Sequence, residues 1–437
     1  MTRLADLMVA SLGEPRHDSP LFDFIADRRT NEHYVNENDR VVFHDTVSLL
    51  DEAGGEPSTL PSFEPGGPRR RLFFAPGSTR VGIVTCGGLC PGLNDVIRGL
   101  VMELARHYGV SEVTGFRYGY AGLVPGGPEP LRLTPEVVHD IHERGGTVLG
   151  TSRGPQDLEL MVDRLVGLGI DLLFVVGGDG SMRGASGIAR VVRERGLALG
   201  VIGVPKTIDN DIPFIGQSFG FVTAFSAAAK IINAAMVEAR AAVNGVGLVK
   251  LMGRHSGFIA CYAALANHIA DVVLIPEVPF ALEGPDGFLA ALERRVVERG
   301  SAVVVVAEGA GQDILDAAPD ASVTDPSGNA RLGDIGVHLR NRITAYFADR
   351  GLPLTCKYFD PGYLIRSVPA DPHDSVYCVR LAQAAVHAGM AGRTDMVVGR
   401  RHNRFIHVPI AHVTSERYCV APDGDLWLSV LESTGQH

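Results

Sequence analysis

FVVGGDGSMRGA, residues 174–185, joins a run of apolar residues to a cluster of small and charged ones. Leu172, Leu173, Phe174, Val175 and Val176 have the unbroken apolar character of a strand covered on both faces, as in parallel sheets. Gly177, Gly178 and Gly180 then leave the backbone free to turn sharply and to come close to a ligand. Asp179 is the only charge inside that turn. A turn of this kind brings phosphate against backbone N–H groups and leaves its carboxylate to hold a magnesium ion. Taken by itself it is equally a tight strand-to-helix turn with a capping aspartate, and the rest of the chain has to decide.

Outward from this stretch the same unit repeats. RVGIVTCGGLCPGLNDVIRGLVMELARHYG (80–109) reads as a strand, a Gly/Pro loop and a helix with Val96, Leu100, Met102 and Leu104 at helical spacing. ALGVIGVPKTIDND (198–211) is a third strand, and DVVLIPEVPF (271–280) and SAVVVVAEGAGQ (301–312) are two more that end on an acidic residue. FSAAAKIINAAMVEARAAV (225–243) is a long helical stretch between them. Strands alternating with helices imply parallel βαβ units with both sheet faces covered, and ligands beyond the carboxyl ends of the strands. The polar residues collect at those ends: Asp179, Lys206 to Asp211, Glu277 and Glu308. Residues 1–80 are richer in Pro, Gly and charge and read as an N-terminal extension rather than a separate domain.

The composition sets limits. The 437 residues suffice for two or three compact units. The 52 glycines exceed the roughly 30 that average usage would place here, and many follow apolar runs. A net charge of −10 argues against nucleic acid or an anionic membrane as the main partner, though not against small anions. The six cysteines show no Cys-x-x-Cys framework and suit a reducing compartment; Cys86 and Cys90, four apart, lack the further ligands a structural zinc needs. The first twenty residues lack the long apolar core of a secretory signal, and no run of 18 apolar residues occurs, so a cytoplasmic location is expected.

GVPKTIDND (203–211) is the densest polar segment: Lys206 offers a cation, Thr207 a hydroxyl, and Asp209 and Asp211 two carboxylates one residue apart. If the segment is extended, that spacing points both carboxylates to one side. A general base needs such a carboxylate within reach of its proton, and phosphoryl transfer needs cations around the moving group. KLMGRHSGF (250–258) sets Arg254 beside Gly253, and YFDPGYLIRSVP (358–369) sets Tyr363 and Arg366 three apart. CGGLCPGLN (86–94) has two glycines ahead of a helix start, an arrangement for an anion at a helix N-terminus. It has neither the G-x-G-x-x-G nor the G-x-x-x-x-G-K-[ST] spacing.

Together these motifs resemble a phosphofructokinase. The resemblance runs from about 80 to 410 in the order TCGGLCPGLN, GYAGL, LGTSR, GGDGS, PKTIDND, MGR, AEGAG and YLIR. YVNENDRV (34–41) and TCGGLCPGLNDVIRG look most like the longer, plant-type branch. The resemblance implies two Rossmann-like three-layer α/β/α domains of mostly parallel sheet with the active site in the cleft between them. It places the extension at 1–80, a phosphoryl-donor domain at 81–219 plus 365–415, and a fructose 6-phosphate domain at 220–364 plus 416–437. It also implies the activity: Mg2+-dependent transfer of the ATP γ-phosphoryl group to the 1-hydroxyl of fructose 6-phosphate. Gly88, Tyr120, Arg153, Gly178, Asp179, Gly180 and Ser181 would line the donor side, with Asp179 on the metal. Asp209 would be the base, supported by Lys206 and Thr207. Thr207, Asp209, Asp211, Met252, Gly253, Arg254, Glu308, Lys357, Tyr363 and Arg366 would hold the sugar phosphate, and Arg254 and Arg153 would help neutralise the phosphoryl group in flight. Family members are usually dimers or tetramers, so a homodimer or homotetramer is expected.

Three departures bear on these expectations. Gly245 stands where the short bacterial enzymes carry an arginine, so a contact the family makes across a subunit boundary is missing or supplied otherwise. Tyr363 and Lys357 stand where those enzymes have histidine and arginine, and both still donate hydrogen bonds. The pyrophosphate-dependent members typically have aspartate at the position of Gly180 and lysine at that of Lys206, whereas the short ATP enzymes have glycine at both. The mixed pair Gly180 and Lys206 favours ATP, because glycine leaves space for the rest of a nucleotide, with pyrophosphate as the alternative donor. A non-catalytic sensor of nucleotide and sugar phosphate is disfavoured by the intact set Asp179, Thr207, Asp209 and Arg254. Lipid and nicotinamide-nucleotide kinases share the GGDG turn but lack the MGR and YLIR segments, and a seven-carbon sugar phosphate remains an alternative acceptor.

Overall fold

The computed structural model describes residues 7–21, 34–52, 60–315 and 331–436. The chain divides into two compact units. The first holds the residues up to Thr207, Ile212–Gly220 and Val368–Glu416; the second holds Ile208–Asp211, Phe221–Ser367 and the residues from Arg417 onward. The chain therefore passes into the second unit for four residues inside the PKTIDND segment, an excursion that sequence reading lacks.

The first unit is built on a nine-stranded sheet. Its order is Val41–Val42, Ser62–Pro65, Arg404–Pro409, Met396–Arg401, Gly200–Pro205, Leu172–Gly177, Arg80–Thr85, Glu112–Phe116 and Leu131–Arg132. The five strands from Met396–Arg401 to Glu112–Phe116 are parallel, and the pairings outside them are antiparallel. Leu173 and Val175 share a buried cluster with Ala185, Ile188 and Val192 of the helix Asp179–Glu194. On the opposite face Gly389 of the helix Pro372–Met390 lies so close to Leu172 that a Cβ there would come within 2.7 Å of it. The unbroken apolar run thus reflects a strand with a helix on each side. Chain order matters as well. From Arg80–Thr85 the chain first adds Glu112–Phe116 on one side, then Leu172–Gly177 on the other. That reversal is a topological switch point, and it opens a crevice beyond the carboxyl ends of Arg80–Thr85 and Leu172–Gly177.

The extension contributes to this sheet: Ser62–Pro65 pairs with Arg404–Pro409, and Val41–Val42 covers its outer edge. Glu64 anchors it. Its carboxylate accepts from Arg69 at 2.7 Å and Arg393 at 2.8 Å, and His407 lies 3.5 Å away. Burial pushes the Glu64 pKa up, but His407, Arg393 and Arg69 outweigh it and hold the group at about 2. A carboxyl depressed on folding stabilises above its ordinary pKa near 4.5, and that contribution fades as pH falls toward about 2. Urea unfolding of the wild type and Glu64→Gln is therefore expected to show a stability gap at pH 7 that shrinks at pH 3; an unchanged gap would contradict this linkage.

The second unit has a four-stranded, wholly parallel sheet in the order Val272–Leu274, Ser301–Ala307, Gly245–Leu251 and Thr355–Phe359. Val246, Leu248, Val304 and Val306 face the helices Phe288–Arg299 and Ile335–Asp349 through Leu292, Val296, Ile343 and Phe347. On the other face lies Phe221–Arg240, a helix long and apolar enough to cross a membrane by composition alone. Here Ala235 and Ala239 bring its backbone down on the strand. A Cβ at Gly247 would sit 2.6 Å from Ala235 O, and one at Gly245 would collide with Ala239 O. Gly245 is thus a packing glycine, and no arginine fits at that position without lifting the helix.

Candidate functional site

In the first unit the loops at the switch point are laced together by backbone groups. Cys86 N–H donates to Val176 O at 2.9 Å, and Lys206 N–H to Gly177 O at 2.9 Å. Gly87 has φ +85°, donates its N–H to Ser152 O at 3.1 Å and accepts at its carbonyl from Thr151 Oγ1 at 2.6 Å. The buried Lys206 ammonium donates to Gly88 O at 2.7 Å, so this cation is fixed beside the glycine loop. A Cβ at Gly88 would lie 3.5 Å from the Arg153 guanidinium. LGTSR, TCGG and PKT therefore converge on one place within this unit.

GGDGS forms the floor. Gly178 is the N-cap of the helix Asp179–Glu194 and offers no side chain to its first-turn N–H groups. Asp179 is the first helical residue, where a carboxylate suits the helix dipole. Gly177 cannot carry a side chain because Ser181 occupies the space, whereas a Cβ at Gly180 meets nothing within 4 Å. The first glycine thus serves the turn and the last one keeps space open.

Two expectations need correction here. Tyr120 does not line an open surface: it is only 6% exposed, lies under the helix against Gly184, and donates its hydroxyl to Ser181 O. It supports the floor from beneath. The helix Leu93–Tyr108 does not offer its N-terminus to an anion either. Leu93, Asn94 and Asp95 are buried, Gly92 is pressed between Cys378 and Phe219, and Asn94 is spent on Arg144 O and Val148 N–H. The helix that starts without a side-chain cap at this place is Asp179–Glu194. Burial lifts the Cys86 thiol to about 12, so it is neutral, and Cys90 donates to Phe219 O at 3.2 Å. Among the described residues no group of three or more His, Cys, Asp or Glu gathers as a metal cage.

In the second unit the strand ends bring a different set together. Glu308 N–H donates to Leu251 O at 2.9 Å and Gly309 N–H to Gly253 O at 3.0 Å, which ties AEGAG to MGR. Gly253 has φ +128°, and a side chain there would strike Ser256 O; one at Gly309 would strike Arg254 O. Burial raises the Glu308 pKa, opposed by Arg254, Lys250 and Arg366 around it. Lys250, which sequence reading did not single out, pairs with Asp360 at 2.9 Å and Asp334 at 3.2 Å. Met252 is 3.8 Å from a Cβ built at Gly362, next to Tyr363. Tyr363 is 78% exposed, and the guanidinium of the half-buried Arg366 lies 4.5 Å from its ring centre. Lys357 stands apart from this cluster, in mid-strand opposite Gly247 and 3.9 Å from Glu238.

Asp209 and Asp211 also lie in this unit, but their segment is not extended. Asn210 between them adopts φ +57°, a left-handed conformation that asparagine tolerates, so the alternation argument for the two carboxylates does not apply. The bend is tied at both ends: Ser256 Oγ donates to Asp209 O at 3.1 Å, and Tyr418 N–H to Asp211 O at 2.8 Å. Asp211 pairs with Arg417 at 2.8 Å, a residue no local motif marks. Thr207, across the unit boundary in sequence, accepts at its carbonyl from Ser218 Oγ at 2.8 Å. Glu277 at the end of Val272–Leu274 is structural: one carboxylate oxygen accepts Gly257 N–H at 2.9 Å and Val420 N–H at 2.8 Å. Burial, with Arg417 and Arg254 nearby, lowers the pKa of His255.

Residues 80–389 match the family described as Phosphofructokinase. The chain is 57% identical, over 99% of its length and 95% of the relative's, to the ATP-dependent 6-phosphofructokinase of Amycolatopsis methanolica. It is 43% identical to ATP-dependent 6-phosphofructokinase 7 of Arabidopsis thaliana, over 97% of this chain and 85% of that one. Among solved structures, the pyrophosphate-dependent phosphofructokinase of Marinobacter aquaeolei superposes with a TM-score of 0.67 at 20% identity, covering 82% of this chain and 91% of that chain. That last likeness concerns the fold.

Proposed function

Because this chain belongs to the phosphofructokinase family, we infer that it transfers the γ-phosphoryl group of ATP to the 1-hydroxyl of fructose 6-phosphate, giving ADP and fructose 1,6-bisphosphate. The observation that carries the donor assignment is Gly180: beside a metal-type aspartate and an uncapped helix start, a side chain there would meet open space. The first unit holds the donor. Backbone N–H groups at Gly178 to Ser181 and the Arg153 guanidinium face its phosphates, and Lys206 adds positive charge while holding Gly88 in place. The second unit holds the sugar phosphate through Met252, Gly253, Arg254, Glu308, Tyr363 and Arg366; Lys357, in mid-strand beside Glu238, is left out of this set. Asp209 takes the proton from the 1-hydroxyl, Thr207 orients the transferred group, and Arg254 counters the charge that builds on it.

Asp179 fits a hard divalent cation: it is a single carboxylate beside open space, and Mg2+ takes one or two carboxylates and completes its shell from phosphate and water. Bound there, Mg2+ neutralises adjacent phosphate charge. Chelation with EDTA is expected to abolish turnover and added Mg2+ to restore it; turnover that persists in EDTA would remove Asp179 from this role.

Lys206, shared with pyrophosphate users, supports the second reading. A coupled assay offering each donor alone separates the two: turnover is expected with ATP, and turnover with pyrophosphate only would overturn the donor assignment. A homodimer or homotetramer is expected, and light scattering measures it.

A further inference from the structure

The short return segment Arg417–Val420 is bound to the bend that carries the two aspartates, and the mechanism above gives it no role. Asp211 is only 8% exposed and its carboxylate meets the Arg417 guanidinium at 2.8 Å, a charge-assisted hydrogen bond. The next residue, Tyr418, donates its N–H to Asp211 O at 2.8 Å and stacks on Phe258 with ring centres 5.1 Å apart. Cys419 Sγ donates to His255 O at 3.3 Å. Val420 N–H and Gly257 N–H share one Glu277 oxygen, at 2.8 and 2.9 Å. From the other side Ser256 Oγ holds Asp209 O at 3.1 Å. Two strands of contact thus close on a three-residue bend with a left-handed residue at its centre. All these partners lie in the second unit.

We propose that Arg417 is a positioning residue for phosphoryl transfer: by pinning Asp211 it fixes the bend and with it the direction of the Asp209 carboxylate. The physical reason is distance tolerance. A base acts only within hydrogen-bond reach of its proton, and a displacement of about 1 Å can cost ~10²-fold. One limb of the bend is held by Ser256 and the other by Arg417 and Tyr418. Among the sugar-phosphate residues Met252, Arg254 and Glu308 lie outside the bend, so binding through them is expected to persist while the chemical step slows.

This inference rests on the assignment of Asp209 as base, and the experiment separates the two. Full-length wild type, Arg417→Gln, Asp211→Asn, the double variant and Asp209→Ser are assayed with saturating ATP for kcat and for KM toward fructose 6-phosphate. Arg417→Gln is expected to lose kcat by roughly 10–100-fold with KM within about threefold. The double variant is expected to be no slower than Asp211→Asn, because Arg417 acts through Asp211. Multiplying losses, or a kcat for Arg417→Gln within twofold of wild type, would overturn the proposal. Arg417→Lys keeps the charge and extends the test should Arg417→Gln not fold: a few-fold loss that vanishes in the Asp211→Asn background supports the role, and a wild-type kcat refutes it. An active Asp209→Ser would instead overturn the base assignment beneath it.

Discussion

Asp209→Ser is expected to lower kcat by about 10²–10⁴-fold, the range a well-placed general base supplies, while the affinity for fructose 6-phosphate changes little. The structure supports the specificity of this result. The Ser256 hydroxyl holds the backbone carbonyl of Asp209, not its carboxylate, so that contact survives the substitution. Of the residues assigned to the sugar phosphate, Met252, Gly253, Arg254 and Glu308 lie on the loops after Gly245–Leu251 and Ser301–Ala307, and Tyr363 and Arg366 on the Gly362–Arg366 turn, none of them on the bend. Steady-state rates with fructose 6-phosphate varied at saturating ATP measure both quantities. A kcat within a few-fold of wild type would remove Asp209 from the role of base; an equal rise in KM would move it to substrate binding.

Gly180→Asp is expected to end the use of ATP and to leave part of any activity with pyrophosphate. The built Cβ meets nothing within 4 Å, so the fold does not resist the substitution. A second carboxylate in the first turn of Asp179–Glu194 also suits the helix dipole, and the melting temperature should hold. What changes is the space beside Asp179: it fills, and a second negative charge faces the polyphosphate. Like charges brought together cost several kcal/mol, or about 10²–10³-fold in kcat/KM for ATP, before the steric block is added. Initial rates with each donor, and a thermal melt to show that the variant is folded, test this. An unchanged rate with ATP would mean that the nucleotide takes another course past this helix end.

Much of the local structure of the candidate site was legible in the sequence, because neighbouring residues set it. The GGDGS turn, Gly253 beside Arg254 and Glu308 after its strand are each set by the residues next to them, and the structure shows each at a strand end. Tyr120 shows where this fails. Its spacing within GYAGL says nothing about depth, and only the packing of Gly184 on its ring reveals that it lies beneath the helix. Asp209 and Asp211 show a second failure. Alternation predicts a shared side only for extended backbone, and the left-handed Asn210 breaks that condition. Gly245 shows a third: sequence marks it as a missing arginine, whereas packing makes it the place where the helix Phe221–Arg240 touches the sheet.

The sequence by itself determined the alternation of strands and helices, the glycine turns and the kinds of side chain at the strand ends, since these follow from short-range periodicity and backbone freedom. Tertiary structure alone decided which loops share a place. The strand order creates the switch point between Arg80–Thr85 and Leu172–Gly177, and Arg417 reaches Asp211 across 206 positions of sequence. Such pairings depend on how sheets are ordered and helices laid across them, a free energy summed over the whole core, and no window of neighbouring residues contains that sum.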